Sequence, residues 1–147
     1  YCVLQLEFRG QPASDGDYGM SSFSTQISDV LAAVKYIQKM KDPVNRDSIG
    51  LIGFSQGGLV GSIAASMDPR IQSIVMWSAP AFPPHDYEGL ITKEGFLQGL
   101  ALPEGETAEF PIIVGGVFYF NVQLGRQFFV DMFTVTPLPY LQNYRIH

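Results

Sequence analysis

Several residue types that build common functional sites are scarce in this chain of 147 residues. It has a single cysteine, Cys2, which excludes a disulfide framework and a cysteine-based metal cluster. Only two histidines are present, and charged residues make up 16% of the sequence. The net charge is −5, without a cluster of lysine and arginine, so nucleic acid is not an expected partner.

No apolar run in the sequence is long enough to cross a membrane. The richest run, residues 110–120, is interrupted by Pro111, Gly115 and Gly116. The nucleotide-binding patterns Gly-x-Gly-x-x-Gly and P-loop do not occur, and neither does the His-x-x-x-His spacing of metal sites. We therefore predict no membrane association, no cofactor and no metal, and we expect a cytoplasmic protein.

The sequence does contain a serine inside a distinctive turn, at residues 49–58 (IGLIGFSQGG). An apolar run leads into Gly-x-Ser-x-Gly and small residues follow it, which indicates a strand, a tight turn and a helix. We interpret Ser55 as the nucleophile of an acyl-transfer enzyme. A Cβ at Gly53 or Gly57 would crowd the bent backbone, and the Gln56 amide at the helix start can hold an oxyanion. The structural alternative is a turn whose serine only caps the helix.

Hydrophobic periodicity predicts alternating strands and helices across the first half of the chain. The predicted elements are a strand at 1–8, a helix at 27–40, a strand at 48–54, a helix at 57–67 and a strand at 71–77. Strands and helices that alternate at this spacing form a parallel sheet with right-handed crossovers. The fold class is therefore α/β, and we assign residues 1–83 to its core.

The character of the sequence changes after Pro83-Pro84. We predict a strand or half of a hairpin at 110–117, followed by a helix with an aromatic face at 119–133. Residues 84–147 are interpreted as a cap inserted over the carboxyl edge of the sheet, where α/β enzymes bind ligands. Six aromatic side chains of this region either line an acyl or aryl pocket or pack the cap onto the core: Phe118, Tyr119, Phe120, Phe128, Phe129 and Phe133.

Short motifs along the first 82 residues are similar to those of one group of enzymes. Residues 8–10 (Phe-Arg-Gly) and 14–16 (Ser-Asp-Gly) resemble an Arg-Gly-x-Gly-x-Ser-Asp-Gly loop, and Asp29 and residues 53–58 match two further blocks. Residues 78–81 (Ser-Ala-Pro-Ala) are also similar. On these motifs the chain resembles α/β-hydrolases of the cinnamoyl and feruloyl esterase and serine-aminopeptidase-like group. The resemblance implies a partial α/β-hydrolase fold that includes the nucleophile turn and a cap.

The resemblance is interrupted at Gln11-Pro12, where the family usually has His-Gly. Proline fixes φ near about −65° and cannot adopt the backbone that glycine adopts there. We therefore expect the loop to follow a different path in this chain.

The acid and the histidine of such enzymes follow the serine in the order Ser, Asp or Glu, His. His85 comes too early for this order, and we predict it at the surface or on a pocket rim. Ser55, Asp131 and His147 preserve the order, but Asp131 falls within an apparent amphipathic helix, where a solvent-facing carboxylate is the favoured interpretation. We therefore identify no acid or base here and expect them, like the second oxyanion donor, outside residues 1–147.

The resemblance implies a serine hydrolase acting on carboxylic esters, such as hydroxycinnamoyl or other acyl and aryl esters. Ser55 would form an acyl-enzyme that water then hydrolyses. Two alternatives remain open: a serine peptidase or acyltransferase with the same turn, and a non-catalytic α/β module that binds a ligand or a protein partner. The expected partner is a small-molecule ester.

The first residues of the chain resemble a segment that is already inside a strand, without an initiator methionine or a targeting peptide. We therefore expect a fragment that is inactive alone. Three strands from the middle of a parallel sheet would leave two edges unpaired. Such a chain should be insoluble, pair its strand edges with a second copy as a homodimer, or be an excerpt of a longer polypeptide.

Overall fold

A computed structural model of the chain describes residues 2–40, 45–46, 48–142 and 144. The elements in chain order are α1 (Phe23–Ile37), β1 (Ile49–Phe54), α2 (Gln56–Met67), β2 (Ile71–Trp77), α3 (Pro83–Asp86), α4 (Lys93–Ala101), β3 (Thr107–Val114), β4 (Val117–Gly125), α5 (Arg126–Thr134) and α6 (Leu138–Leu141). A short 3₁₀ helix, Tyr18–Met20, precedes α1. The chain divides into two compact units.

The first unit contains the described residues within 1–7, 24–81 and 136–147. Its strands β1 and β2 pair in parallel, in a register that sets Ile52 opposite Val75 and Phe54 opposite Trp77. The helix α2 connects the two strands and packs against both. The predicted order of strand, helix and strand is therefore confirmed, and the fold class is α/β, as expected for part of an α/β-hydrolase.

Small residues allow α2 to approach the strands closely. Residues 58–65 of this helix are buried without a break. A Cβ on Gly61 would meet the side chain of Ile74 at 3.6 Å and that of Leu51 at 3.7 Å. The helix backbone at Gly61 thus leaves room for no more than a methyl group before it contacts side chains of both strands. The helix α2 is therefore packed directly against the sheet.

The second unit contains residues 8–23 and 82–135. Its strands β3 and β4 form an antiparallel hairpin. The two residues between them, Gly115 and Gly116, have φ of 57° and 82°. Positive φ at both central residues is what a type I′ hairpin turn requires. The assignment of residues 84–147 to a cap remains a prediction.

Aromatic rings form the core of the second unit. The buried rings of Phe110 and Phe129 have centroids 4.8 Å apart. The ring of Phe128 makes edge contacts with Phe129 at 5.7 Å and with Phe23 at 5.3 Å. Such pairs contribute about 0.5–1.5 kcal/mol each beyond the burial of their area. Phe128 and Phe129 therefore serve packing, whereas four aromatic residues of the predicted pocket lining are exposed: Phe118, Tyr119, Phe120 and Phe133.

Three predicted elements differ from the structure. Residues 2–8 form no strand, and the parallel sheet of the described residues contains only β1 and β2; residue 1 lies outside the described part of the chain. The helix predicted at 27–40 lies at 23–37. The helix predicted at 119–133 is wrong in its first half, because residues 117–125 pair with β3 and only α5 is helical.

Candidate active site

A single residue, Ser55, connects β1 to α2. Its backbone has φ 51° and ψ −125°. Glycine adopts such torsions readily, whereas another residue carries about 1–3 kcal/mol of strain there. Strain of this size persists only where the surrounding structure holds the residue in place. The sharp turn predicted at this serine is therefore present, and the residue is partly exposed.

Hydrogen bonds from both neighbouring elements hold the Ser55 backbone. Its N–H donates to the carbonyl of Trp77, at the end of β2, over 2.8 Å. Its carbonyl accepts from the N–H groups of Gly58 at 2.9 Å and Leu59 at 3.3 Å. Both main-chain polar groups of the serine are thus engaged with the sheet and the helix, which stabilises the strained conformation.

The glycines around Ser55 differ in how much the turn needs them. A Cβ on Gly53 would lie 2.4 Å from the carbonyl oxygen of Gly57, so no side chain fits. A Cβ on Gly58 would lie 2.7 Å from the Cβ of Ala79. A Cβ on Gly57, in contrast, would meet no atom of the described chain within 4 Å. The crowding predicted at Gly57 is therefore wrong, and Gly58 is the second glycine that close packing requires.

Gln56 is the first residue of α2, where backbone N–H groups lack partners within the helix. Its side chain donates a hydrogen bond from Nε2 to Oε1 of Gln26, over 2.8 Å. Gln26 lies on α1 and is buried. The residue predicted to supply an oxyanion donor is thus tied to a second helix, through a glutamine that no sequence motif had indicated.

The turn from α2 into β2 is fixed by an ion pair. The Arg70 side chain contacts the carboxylate of Asp68, and its Nε donates to Oδ1 over 2.7 Å. The Arg70 backbone N–H donates to the same oxygen at 3.1 Å. The hydrogen bond from the Arg70 side chain lowers the pKa of Asp68 below its ordinary value. This pair lies directly before β2, which begins at Ile71.

The loop before α1 forms compact turns in spite of Gln11-Pro12. The Ser14 N–H donates to the Gln11 carbonyl at 2.9 Å, so Pro12 occupies the second position of a turn, where its fixed φ is suitable. The Gly10 N–H donates to the Asp15 carbonyl at 3.0 Å, and Gly10 has φ 78°. The loop is therefore closed by backbone bonds of its own.

The structure places two of the residues considered as a catalytic acid or base, His85 and Asp131. His85 is exposed, as predicted, and its Nδ1 lies 3.6 Å from a carboxylate oxygen of Glu88. Asp131 is only 1% exposed and accepts a hydrogen bond from Gln127 Nε2 over 2.7 Å. The prediction of a solvent-facing Asp131 is therefore wrong, because α5 turns this residue inward beside Phe128 and Met132. His147 lies outside the described residues.

The second unit contains a cavity of about 580 Å³. Its lining is mostly apolar and comprises Pro84, Glu88, Lys93, Phe96, Leu97, Leu100 and Phe133. Among the aromatic residues predicted for a pocket, Phe133 is the one that lines it. Within the described ranges, no three His, Cys, Asp or Glu side chains are grouped to hold a metal ion. No helix in the described part of the chain is long and apolar enough to span a membrane.

A strained serine between a parallel strand and a helix, with glycine two residues before it, has the geometry of the turn that carries the nucleophile in the α/β-hydrolase fold. The chain accordingly belongs to the α/β-hydrolase superfamily. Its residues 1–111 match the X-Pro dipeptidyl-peptidase (S15) family, and the chain belongs to that family. The predicted resemblance to α/β-hydrolases is confirmed, while the narrower likeness to feruloyl esterases stays a prediction.

Two curated relatives share part of their sequence with this chain. One is named a probable lipase and comes from Schizosaccharomyces pombe; it is 32% identical over 96 residues, which are 63% of this chain and 20% of the relative. The other is an uncharacterized 31.7 kDa protein of Escherichia coli, 27% identical over 132 residues, which are 90% of this chain and 42% of the relative. The chain thus spans less than half the length of either relative.

Proposed function

We propose that this chain carries the nucleophile of a hydrolase that cleaves carboxylic esters through an acyl-enzyme on Ser55. The observation that carries the proposal is the Ser55 backbone, strained at φ 51° and held by Trp77, Gly58 and Leu59. A structural turn has no need of a strained serine, since glycine would fit it at lower cost. The probable lipase among the relatives supports an ester substrate.

In the proposed reaction, Ser55 Oγ gives its proton to a histidine base and forms a bond to the ester carbonyl carbon. The carbonyl oxygen becomes an oxyanion, towards which the Gln56 backbone N–H at the start of α2 donates. The alcohol leaves with the proton, and water then releases the acid from the serine. Neither His85 nor Asp131 is assigned a part in these steps.

A serine peptidase is the second candidate, because the family is described as X-Pro dipeptidyl-peptidases. The same serine and oxyanion donor can attack an amide, and only the groups around the leaving group decide between the two. A module that binds a ligand without catalysis is the third. The pairing of strand edges between two copies, the small-molecule ester partner and the cytoplasmic location stay predictions.

A fluorophosphonate probe tests the proposal in the polypeptide that contains this chain. We expect the probe to label Ser55, Ser55→Ala to abolish labelling, and the control Ser28→Ala, at an exposed position of α1, to leave it intact. With p-nitrophenyl esters, Ser55→Ala should lower kcat by about 10⁴–10⁶. Faster cleavage of X-Pro p-nitroanilides than of esters would establish the peptidase instead. A folded but unlabelled protein would establish the binding module.

A further inference from the structure

Two serines at the carboxyl ends of the parallel strands have a positive φ. Ser55 has φ 51° and Ser78 has φ 50°, and no other non-glycine residue in the described part of the chain has positive φ. Ser55 follows the last residue of β1, and Ser78 follows the last residue of β2. Because those last residues, Phe54 and Trp77, are paired in register, the two strained serines terminate adjacent strands at the same level.

The segment around Ser78 holds the Ser55 turn at two points. On one side, the Trp77 carbonyl accepts the hydrogen bond from the Ser55 N–H at 2.8 Å. On the other, the Ala79 Cβ fills the space in front of Gly58, only 2.7 Å from where a Cβ on that glycine would lie. Ser78 is the single residue between these contacts, so its backbone torsions decide whether both can form together.

We infer that Ser78 is a positioning residue for the nucleophile. Its positive φ bends the chain after β2 so that Trp77 and Ala79 jointly fix the turn that carries Ser55. This inference rests on the proposed function, since positioning matters only if Ser55 reacts. A displacement of about 1 Å in a reacting group can cost about 100-fold in rate. The role belongs to the Ser78 backbone, because torsion and not the exposed hydroxyl connects the two contacts.

Substitutions at Ser78 separate the backbone from the hydroxyl. Ser78→Val places a β-branched residue at positive φ, which is strongly disfavoured. We expect Ser55 labelling and kcat to fall by about 10- to 100-fold with KM unchanged. Ser78→Gly accepts the same φ without a side chain, and we expect it to retain a rate within about twofold of the wild type. The control Ser73→Val, at an exposed position within β2 where β-branched residues are favoured, should leave the rate unchanged.

A second variant covers the case in which Ser78→Val does not fold. Ala79→Gly removes the methyl group that meets Gly58 and adds no bulk, so we expect a folded protein with several-fold slower labelling. If the wild type is not labelled at Ser55, the proposed function fails, and this inference fails with it. If the wild type is labelled but Ser78→Val and Ala79→Gly react at its rate, the positioning role of Ser78 is refuted and the proposed function stands. If Ser78→Gly loses as much as Ser78→Val, the hydroxyl matters and the backbone role is refuted.

Discussion

The two units of this chain are stabilised by different means. Around Ser55 the first unit uses small residues, such as Gly53 and Gly58, which let backbone segments approach to contact distance. The second unit uses large rings, and Phe110 and Phe129 fill its core. A strained serine is held by backbone segments that contact it from several sides. A core without strained residues is stabilised by the burial of large side chains. The lesson is that the same kind of substitution should act differently in each unit.

The largest effect is expected from removing a ring from the second unit. Phe129 is fully buried between Phe110, Phe96 and Phe128, so Phe129→Ala should lower the free energy of unfolding by about 3–5 kcal/mol. Denaturant titration measures it. Phe133 lies on the same helix and is 53% exposed, so the control Phe133→Ala should lower the free energy of unfolding by about 1 kcal/mol or less. Equal losses in the two variants would show that the aromatic core does not dominate this unit.

A smaller effect, confined to the first unit, comes from adding a methyl group. Gly53→Ala would drive a Cβ into the backbone at Gly57, and we expect a loss of about 1–3 kcal/mol together with slower labelling of Ser55. Gly57→Ala meets no described atom within 4 Å and should be neutral or more stable by up to about 1 kcal/mol. Thermal unfolding of both variants measures the change in stability, and probe labelling measures the reactivity of Ser55. A strong loss in Gly57→Ala would contradict the assignment of the crowded position to Gly58.

The smallest effect concerns the ion pair before β2. Since the pKa of Asp68 is lower in the folded chain than in the unfolded chain, its contribution to stability is complete above the ordinary aspartate pKa of about 3.9. It is lost as the pH falls through the folded pKa. The stability difference between wild type and Arg70→Gln should therefore shrink below about pH 4. Urea titrations at a series of pH values measure this.

A matched arginine in the second unit provides the control for that titration. Arg126 donates from Nε to the carbonyl of Leu100 at 3.1 Å, and this partner does not titrate. The difference between wild type and Arg126→Gln should stay constant over the same pH range. A constant difference for Arg70→Gln as well would mean that Asp68 does not account for the effect.

Prediction from sequence succeeded where the signal was local. The apolar run before Ser55 and the small residues after it lie next to each other in the chain, so the strand, the turn and α2 could be placed. The first strand of the hairpin was predicted, but its second strand was missed although Gly115-Gly116 between two apolar runs is a local signal, because the aromatic residues after it were given a helical period. Asp131 was misplaced because the periodicity of α5 does not show which neighbours cover that side of the helix.

The sequence by itself determined that this chain is an α/β-hydrolase with a strained serine between β1 and α2, since neighbouring residues specify that turn. Only the tertiary structure decided that Gly58 rather than Gly57 is crowded, that Gln26 holds Gln56, and that Ser78 has a positive φ like that of Ser55. The physical reason is distance along the chain. The first two of these facts depend on contacts of Gly58 with Ala79 and of Gln56 with Gln26, which join segments far apart in the chain and which no local pattern of residue types encodes.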